Sequence, residues 1–429
     1  MRGPWILALA ILAGAPATAA PLTLDAALAA ADAPHPDLDL ALAQRDSALA
    51  EARLADSLND FRVTLDASLR TGRNETYNDR FHPDHLARLN ARKTLLDFGR
   101  QAASLQAAEQ DGQARELQLL DVRAQRRIAI MARYFDVLLA DMQDAADTEF
   151  QATAYVSWDN AKDRQALGQM APSELAELEA RYADTRNKRN DGRRKLREKR
   201  LLLGAAMNRA NMVLDDLVDP PLAGNNRPVP EFEPLLDKVL TNNPRLRAQR
   251  QLLAGATHRL EAARTTYRPS VEFEAEAAAW TRQSATRDDL RAGLNFVWPL
   301  WQGGRDDALV GKERARFSEL QAQHDKLVMD LRQALLEARE EILYLRETER
   351  PGAQLNATWR DMALEKARAE YEMELKTNLG TSMAETQSAR LRQRAVEYRL
   401  ALAWARLEAL LGGPDELSVL LAGKLEDKK

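Results

Sequence analysis

The chain has 429 residues, with 61 Lys and Arg against 65 Asp and Glu and no cysteine. A formal charge of −4 makes no electrostatic case for nucleic acid, and the missing thiols exclude a disulfide framework, a cysteine nucleophile and a lipidated N-terminal cysteine. Charged residues at 29% and aromatics at 6% suit long solvated helices better than one compact core.

Residues 1–19 read as a secretory signal: a basic start at Arg2, an apolar run from Trp5 to Ala13, and the small-residue site Ala17-Thr18-Ala19. Cleavage is expected after Ala19, because one residue later would put Pro21 at the first mature position. The run is too short to cross a hydrocarbon core of about 30 Å, and no other stretch approaches the roughly 18 apolar residues of a spanning helix. Any spanning segment must therefore be a β-barrel.

A first repeat is expected over residues 20–218. It begins with a helix carrying His35-Pro36-Asp37-Leu38 and continues with strands at about 62–70 and 86–97. Val63, Leu65, Ala67 and Leu69 alternate with Thr64, Asp66, Ser68 and Arg70; Leu89, Ala91, Lys93 and Leu95 alternate with Arg88, Asn90, Arg92 and Thr94. His82 and His85 flank Pro83-Asp84 in the loop between the strands, where too few further ligands are at hand for a metal. A helix from about 100 to 148 would be on the order of 70 Å long. Its seam runs Leu117, Leu120, Ala124, Ile128, Met131, Phe135, Leu138, Met142, steps of three and four that fit coiled-coil packing. The helical hairpin is expected to turn near 168–173, with Gly168 as the turn residue and Ser173 as N-cap of the returning helix. From Arg181 to Arg200 there are ten Lys or Arg against three Asp or Glu, read as an exposed basic face. The hairpin closes at Leu201-Leu202-Leu203-Gly204.

Residues 219–234, with Pro220, Pro221, Pro228, Pro230 and Pro234, read as a linker. A second repeat, 235–413, follows, with strands at about 270–280 and 290–299. Val271, Phe273, Ala275, Ala277 and Ala279 alternate with Glu272, Glu274 and Glu276; Ala292, Leu294, Phe296 and Trp298 alternate with Arg291, Gly293 and Asn295. A second seam runs Phe317, Leu320, His324, Leu327, Leu331, Leu335, Ala338, Ile342, Leu345, and a second hairpin tip is expected near 374–382. Leu410-Leu411-Gly412-Gly413 closes the repeat, and 414–429 form a C-terminal tail. The duplication itself rests on alignment: Pro36 and Pro244 lie 208 positions apart, and Val63, Leu65 and Ala67 fall opposite Val271, Phe273 and Ala275 at the same offset.

Each strand has the length that crosses a bilayer when tilted, one face apolar and the other polar. Trp280, Trp298 and Trp301 stand at strand ends, where an interfacial belt would put them. Four strands leave two open edges, which hydrocarbon does not tolerate, so protomers must pool their strands. A barrel of about eight strands, the product of two protomers, is filled by side chains, so a conduit calls for three or more.

Leu95-Leu96-Asp97-Phe98-Gly99-Arg100 and Leu300-Trp301-Gln302-Gly303-Gly304-Arg305, each after the second strand of a repeat, resemble the signature of the TolC family of outer-membrane efflux proteins (outer membrane factors). So do Gly168-Gln169-Met170-Ala171-Pro172-Ser173-Glu174 and Tyr371 to Leu379, which are similar to the two hairpin turns of that family. The second departs from the pattern in having Glu374 where glycine is usual and Gly380 where aspartate is common. The resemblance covers roughly residues 23–413. It implies a mainly α chain with transmembrane β: a homotrimer with one 12-stranded outer-membrane barrel in lipid, and long coiled-coil helical hairpins forming a periplasmic tunnel. It also implies docking on a periplasmic membrane-fusion adaptor that couples to an inner-membrane transporter, as in type I secretion or multidrug or metal efflux.

On that basis the adaptor-docking residues are Gly168, Ala171, Pro172, Ser173, Glu174, Tyr371, Glu374, Thr377 and Leu379. Three-fold symmetry would turn Glu174, Glu177, Glu374 and Glu385 into acidic rings that favour cations. Asp66, Arg88, Arg92, Glu272, Glu274, Glu276 and Arg291 would line the barrel with mixed charge. No catalytic constellation, cofactor motif or metal motif is present in the sequence, so no enzymatic activity is expected. The alternative reading is a periplasmic coiled-coil adaptor or scaffold without a pore, which would not need bilayer-length strands.

Overall fold

In the computed structural model, the described residues are 21–74, 78–209, 216–281, 288–373 and 379–413. The expected signal segment 1–19, Glu374, Thr377 and the expected tail 414–429 lie outside them. In chain order the elements are α1 (Leu24–Ala29), α2 (Pro36–Ser57), β1 (Arg62–Ser68), β2 (Thr71–Asn74), β3 (Asn78–Pro83), β4 (Leu86–Leu96), α3 (Arg100–Ala166) and α4 (Pro172–Ala206). After a 3-10 turn at Ala223–Asn226 come α5 (Phe232–Asn242), α6 (Pro244–Arg264), β5 (Ser270–Trp280), β6 (Leu290–Val297), α7 (Arg305–Tyr344), a π turn (Leu345–Glu349), α8 (Arg350–Glu372) and α9 (Leu379–Leu411). The chain is a mixed α/β fold of long helices with a small sheet.

It divides into two compact units that each draw on both halves of the sequence. The sheet unit comprises Pro34–Ile128, Asn226–Thr348 and the chain from Leu400; the helical unit comprises the chain up to Ala33, Ala129–Asn225 and Glu349–Arg399.

In the sheet unit the strands run antiparallel in the order β1-β4-β5-β6, leaving β1 and β6 as edges. Beyond β1 and β4 the chain forms a separate ribbon, β2 with β3, where a plain loop is expected. Neither of its short strands carries an apolar face, so period-two reading gives no signal there. Helices α2 and α6 both start at a proline whose fixed φ suits the first helical position. His35 Nδ1 accepts from Asp37 N–H, and Asn243 Oδ1 accepts from the N–H groups of Arg245 and Leu246 at 3.0 and 3.1 Å. Leu235, Val239 and Leu246 are buried, as are Trp404, Leu407 and Leu411. Of the second seam, Leu331, Leu335, Ala338, Ile342 and Leu345 are buried, whereas its start from Phe317 to Leu327 is half-buried.

The first seam is a correction. Only Phe135 of that series is fully buried; Leu120 is exposed, and the buried stripe of α3 runs instead through Ala114, Leu119, Ile130, Tyr134 and Val137. Apolar residues occupy more than one face of this helix, and periodicity alone does not tell which face its own chain covers. Helix α3 also continues 18 residues past the expected end at 148, to Ala166.

In the helical unit, Leu22 bridges Leu217, and the hydroxyl of Tyr134 reaches the carbonyl oxygens of Leu22 and Val218. Phe135 stacks on Tyr398 with centroids 4.5 Å apart, and the Tyr398 hydroxyl donates to Asp219 at 2.8 Å. Asn225 Nδ2 donates to Glu397, whose carboxylate also pairs with Arg350. The start of the expected linker is therefore pinned in place. The π turn ends at Glu349, one residue short of Pro351, whose missing N–H and bulky ring disturb a regular α ladder.

Candidate functional site

The sheet carries the first candidate site. Opposed residues on neighbouring strands share a face, so the register sorts every side chain. Asp66 lies opposite Arg88, Asn90 opposite Glu276, Arg92 opposite Glu274, and Glu276 opposite Arg291. All seven residues expected to line a barrel, Asp66, Arg88, Arg92, Glu272, Glu274, Glu276 and Arg291, therefore fall on one face. Arg88 bridges Asp66 at 3.5 Å and Glu276 at 3.8 Å; Arg291 meets Glu276 at 2.9 Å and Arg92 meets Glu274 at 2.9 Å. Asn90 and Asn295 both donate to Glu274. The ladder knits β1, β4, β5 and β6 by side chains as well as by backbone. Arg62, opposite Arg92, belongs to this face as well; alternation back from Thr64 and Asp66 would have found it.

The other face is apolar and open. Val63 is 60% exposed, Leu65 70%, Leu290 75%, Leu294 65% and Phe296 64%. Trp298 and Trp301 follow β6 and are exposed. Trp280 is different: it lies opposite Leu86, in register with Arg88 and Glu276, so it stands on the charged face. A residue of even number in β5 points away from Phe273 and Ala275.

The strand-to-helix signatures are turns in left-handed conformation. Phe98 and Gly99 have φ of 56° and 89°, and Gly303 and Gly304 have 63° and 80°. Asp97 caps the first by accepting from Gly99 and Gln101 N–H.

The second candidate site is the turn between α3 and α4. Gly168 has φ +72°, its N–H bonds Gln165 O, and Gln169 N–H bonds Arg164 O at 2.8 Å. This is a Schellman closure with Gly168 at the left-handed position. The N-cap of α4 is Ala171, not Ser173, because Pro172 takes the first helical position and leaves Ser173 inside the helix. Glu174 supplies the cap instead, accepting from Ala171 N–H at 3.3 Å. At its other end α4 runs through a buried Gly204 and closes at Asn208, φ 55°, whereas α9 closes at Gly412 as expected.

The basic run of α4 is not a free face. Lys188 pairs with Asp147 at 3.2 Å, Arg193 with Asp144 at 3.4 Å, Lys199 with Asp136 at 2.8 Å and Arg200 with Asp141 at 3.5 Å. These carboxylates lie on α3, so the run is half of a zipper between helices. Asp191 is held below the usual carboxylate range by hydrogen bonds from Lys195 and Arg194.

Around the second hairpin, Tyr371 is exposed near the end of α8, and Leu379 opens α9. Glu385 pairs with Arg360 and Asp361 with Arg390, so Glu385 is not an unpaired acid. Glu177 is exposed. His85 Nδ1 accepts from Arg70 N–H. Among the described residues no group of three or more metal-ligating side chains occurs, and no helix is long and apolar enough to cross a membrane.

Residues 235–413 match the family described as outer membrane efflux protein. The chain carries the fold of the TolC family. Solved structures similar to it include the outer membrane protein VceC of Vibrio cholerae, at TM-score 0.73 and 19% identity over 91% of this chain and 96% of that one. The outer membrane channel CmeC of Campylobacter jejuni gives 0.74 and 16% over 91% and 85%. The open-state MtrE outer membrane channel of Neisseria gonorrhoeae gives 0.73 and 16% over 91% and 89%. No curated protein sequence matches the chain.

Proposed function

We propose that the chain is one protomer of a trimeric outer-membrane conduit that works with a periplasmic adaptor and an inner-membrane pump. The observation that carries this reading is the inverted sheet: its apolar face is exposed while its charged face is satisfied by its own ion pairs. Soluble monomers rarely expose a contiguous apolar patch of this kind. A periplasmic adaptor or scaffold would gain nothing from it. The unpaired edges β1 and β6 add the requirement for closure, and three copies of four strands give the 12-stranded barrel of the proposal. The family description as efflux proteins and the channel titles of CmeC and MtrE support the same reading.

In this arrangement the mature chain starts after a signal at 1–19. Its two repeats, 20–218 and 235–413, each supply one strand pair and one helical hairpin. Asp66, Arg88, Arg92, Glu272, Glu274, Glu276 and Arg291 line the lumen, Trp298 and Trp301 sit at the membrane interface, and the turn at Gly168 to Glu174 meets the adaptor. Glu174 and Glu177 supply acidic rings near that end. Energy comes from the partner. The test is single-channel recording in planar bilayers: the purified protein is expected to insert and conduct, and a protein that never inserts refutes the conduit.

A further inference from the structure

We propose that the groove between α3, α4 and α9 in the helical unit binds a free single-chain amphiphile with an anionic head, a fatty-acid carboxylate being the simplest case. The groove has a volume of about 400 Å³, within the range of small-ligand sites, roughly 300–1000 Å³. That is room for one alkyl chain and its head, and too little for a two-chain lipid. Its apolar lining comes from two sides: Leu139 and Ala140 of α3 and Leu391 and Ala395 of α9, all half-buried. An alkyl chain laid against them leaves water with a gain for each methylene. The charged lining is one-sided. Lys195 and Lys199 of α4 and Arg392 of α9 face a single carboxylate, Asp136. Lys199 already pairs with Asp136 at 2.8 Å, and Lys195 with Asp191 at 2.7 Å. On either side of Arg392, Arg390 pairs with Asp361 and Arg394 with Asp219. Arg392 itself is exposed and pairs with no carboxylate among the described residues. Its guanidinium is thus the open donor for a carboxylate head, with Lys195 exposed beside the same groove. A neutral head would leave that donor unused, and a cationic one would meet like charge.

A photoreactive laurate analogue, applied to the full-length protein in membranes with peptide mapping of the adducts, tests this. Labelling is expected on the α3 segment around Leu139 and the α9 segment around Leu391, blocked by laurate but not by dodecanol or dodecyltrimethylammonium. Arg392→Glu should raise the probe concentration for half-maximal labelling of those segments about tenfold, as the loss of one charge-assisted hydrogen bond requires. Lys195→Gln, a milder change at an exposed position, should raise it several-fold. Labelling of the apolar strand face, where any amphiphile collects, should be the same in both variants as in the parent chain. An absence of adducts on α3 and α9, as when a neighbouring copy covers the groove, overturns the proposal. Equal blocking by dodecanol overturns it too, as does parent-like labelling of those segments in both variants. None of these readouts requires the chain to conduct, so the site is decided apart from the conduit reading.

Discussion

Single residues decide the hairpin turn. Gly168 sits at φ +72°, where a side chain meets its own backbone, so Gly168→Ala should destabilise the α3–α4 hairpin by about 1 kcal/mol, with Asn milder, in thermal unfolding. Tyr134 gives a pH signature. Burial first of all, and the charge of Asp219 as well, push its hydroxyl up from 10.0 to about 12. The folded state thus favours the neutral phenol: its contribution is complete below pH 10 and is lost as pH climbs to about 12. Tyr398, also raised by burial, acts in the same direction. The melting temperature should fall steeply across that window, less so in Tyr134→Phe, and a flat profile in the parent chain would contradict the assignment. Gly168 was legible in the sequence because no other residue type tolerates that conformation as well. Ser173 was misread because the position of Pro172, not the presence of a hydroxyl, fixes where the helix starts. Asn208 went unseen because a nearby glycine offered the more obvious stop.

At the scale of elements, the strand faces were legible because alternation in β5 and β6 sets glutamates and an arginine against alanines, leucines and phenylalanines with period two. Cross-strand pairs such as Asp66 with Arg88 could not be read, since pairing depends on register. The zipper between α3 and α4 was hidden for the same reason: its acids, Asp136 to Asp147, lie some 50 residues from their partners in sequence. Asp147 is 3% exposed and accepts from Gln143 and Lys188, while Gly192 leaves room for it. Replacing Asp147 by Ala should cost about 1–3 kcal/mol in urea unfolding, because it removes a buried carboxylate that accepts from the half-buried Gln143 and the exposed Lys188. Arg194, whose partners Asp191 and Glu198 are exposed, should be replaceable by Ala with no measurable change.

For the whole molecule, the two faces of the sheet give opposite expectations. An arginine at Leu294, on the apolar face, should cost roughly 2–4 kcal/mol if it meets the bilayer midplane, and less toward the interfaces, whereas an arginine at Asn295, one residue along, should leave assembly intact. Heat-stable trimer on gels in mild detergent is the readout. The charged face sets Asp66, Glu272, Glu274 and Glu276 against Arg62, Arg88, Arg92 and Arg291. With the two signs balanced, the barrel of the proposed conduit should discriminate weakly between potassium and chloride, so a reversal potential near zero in a salt gradient is expected once Glu174 and Glu177, which the proposal sets in acidic rings, are replaced by Gln.

The two open strand edges have a kinetic consequence. In the proposed barrel, the surfaces that meet lipid and the backbone groups that need neighbours lie on the same four strands, so insertion and oligomerisation would be one event. Barrel formation should then slow far more than in proportion when protomers are diluted, and stability should depend on how much chain is present. A cell exporting this protein sparsely would accumulate stranded single protomers before it made any pores.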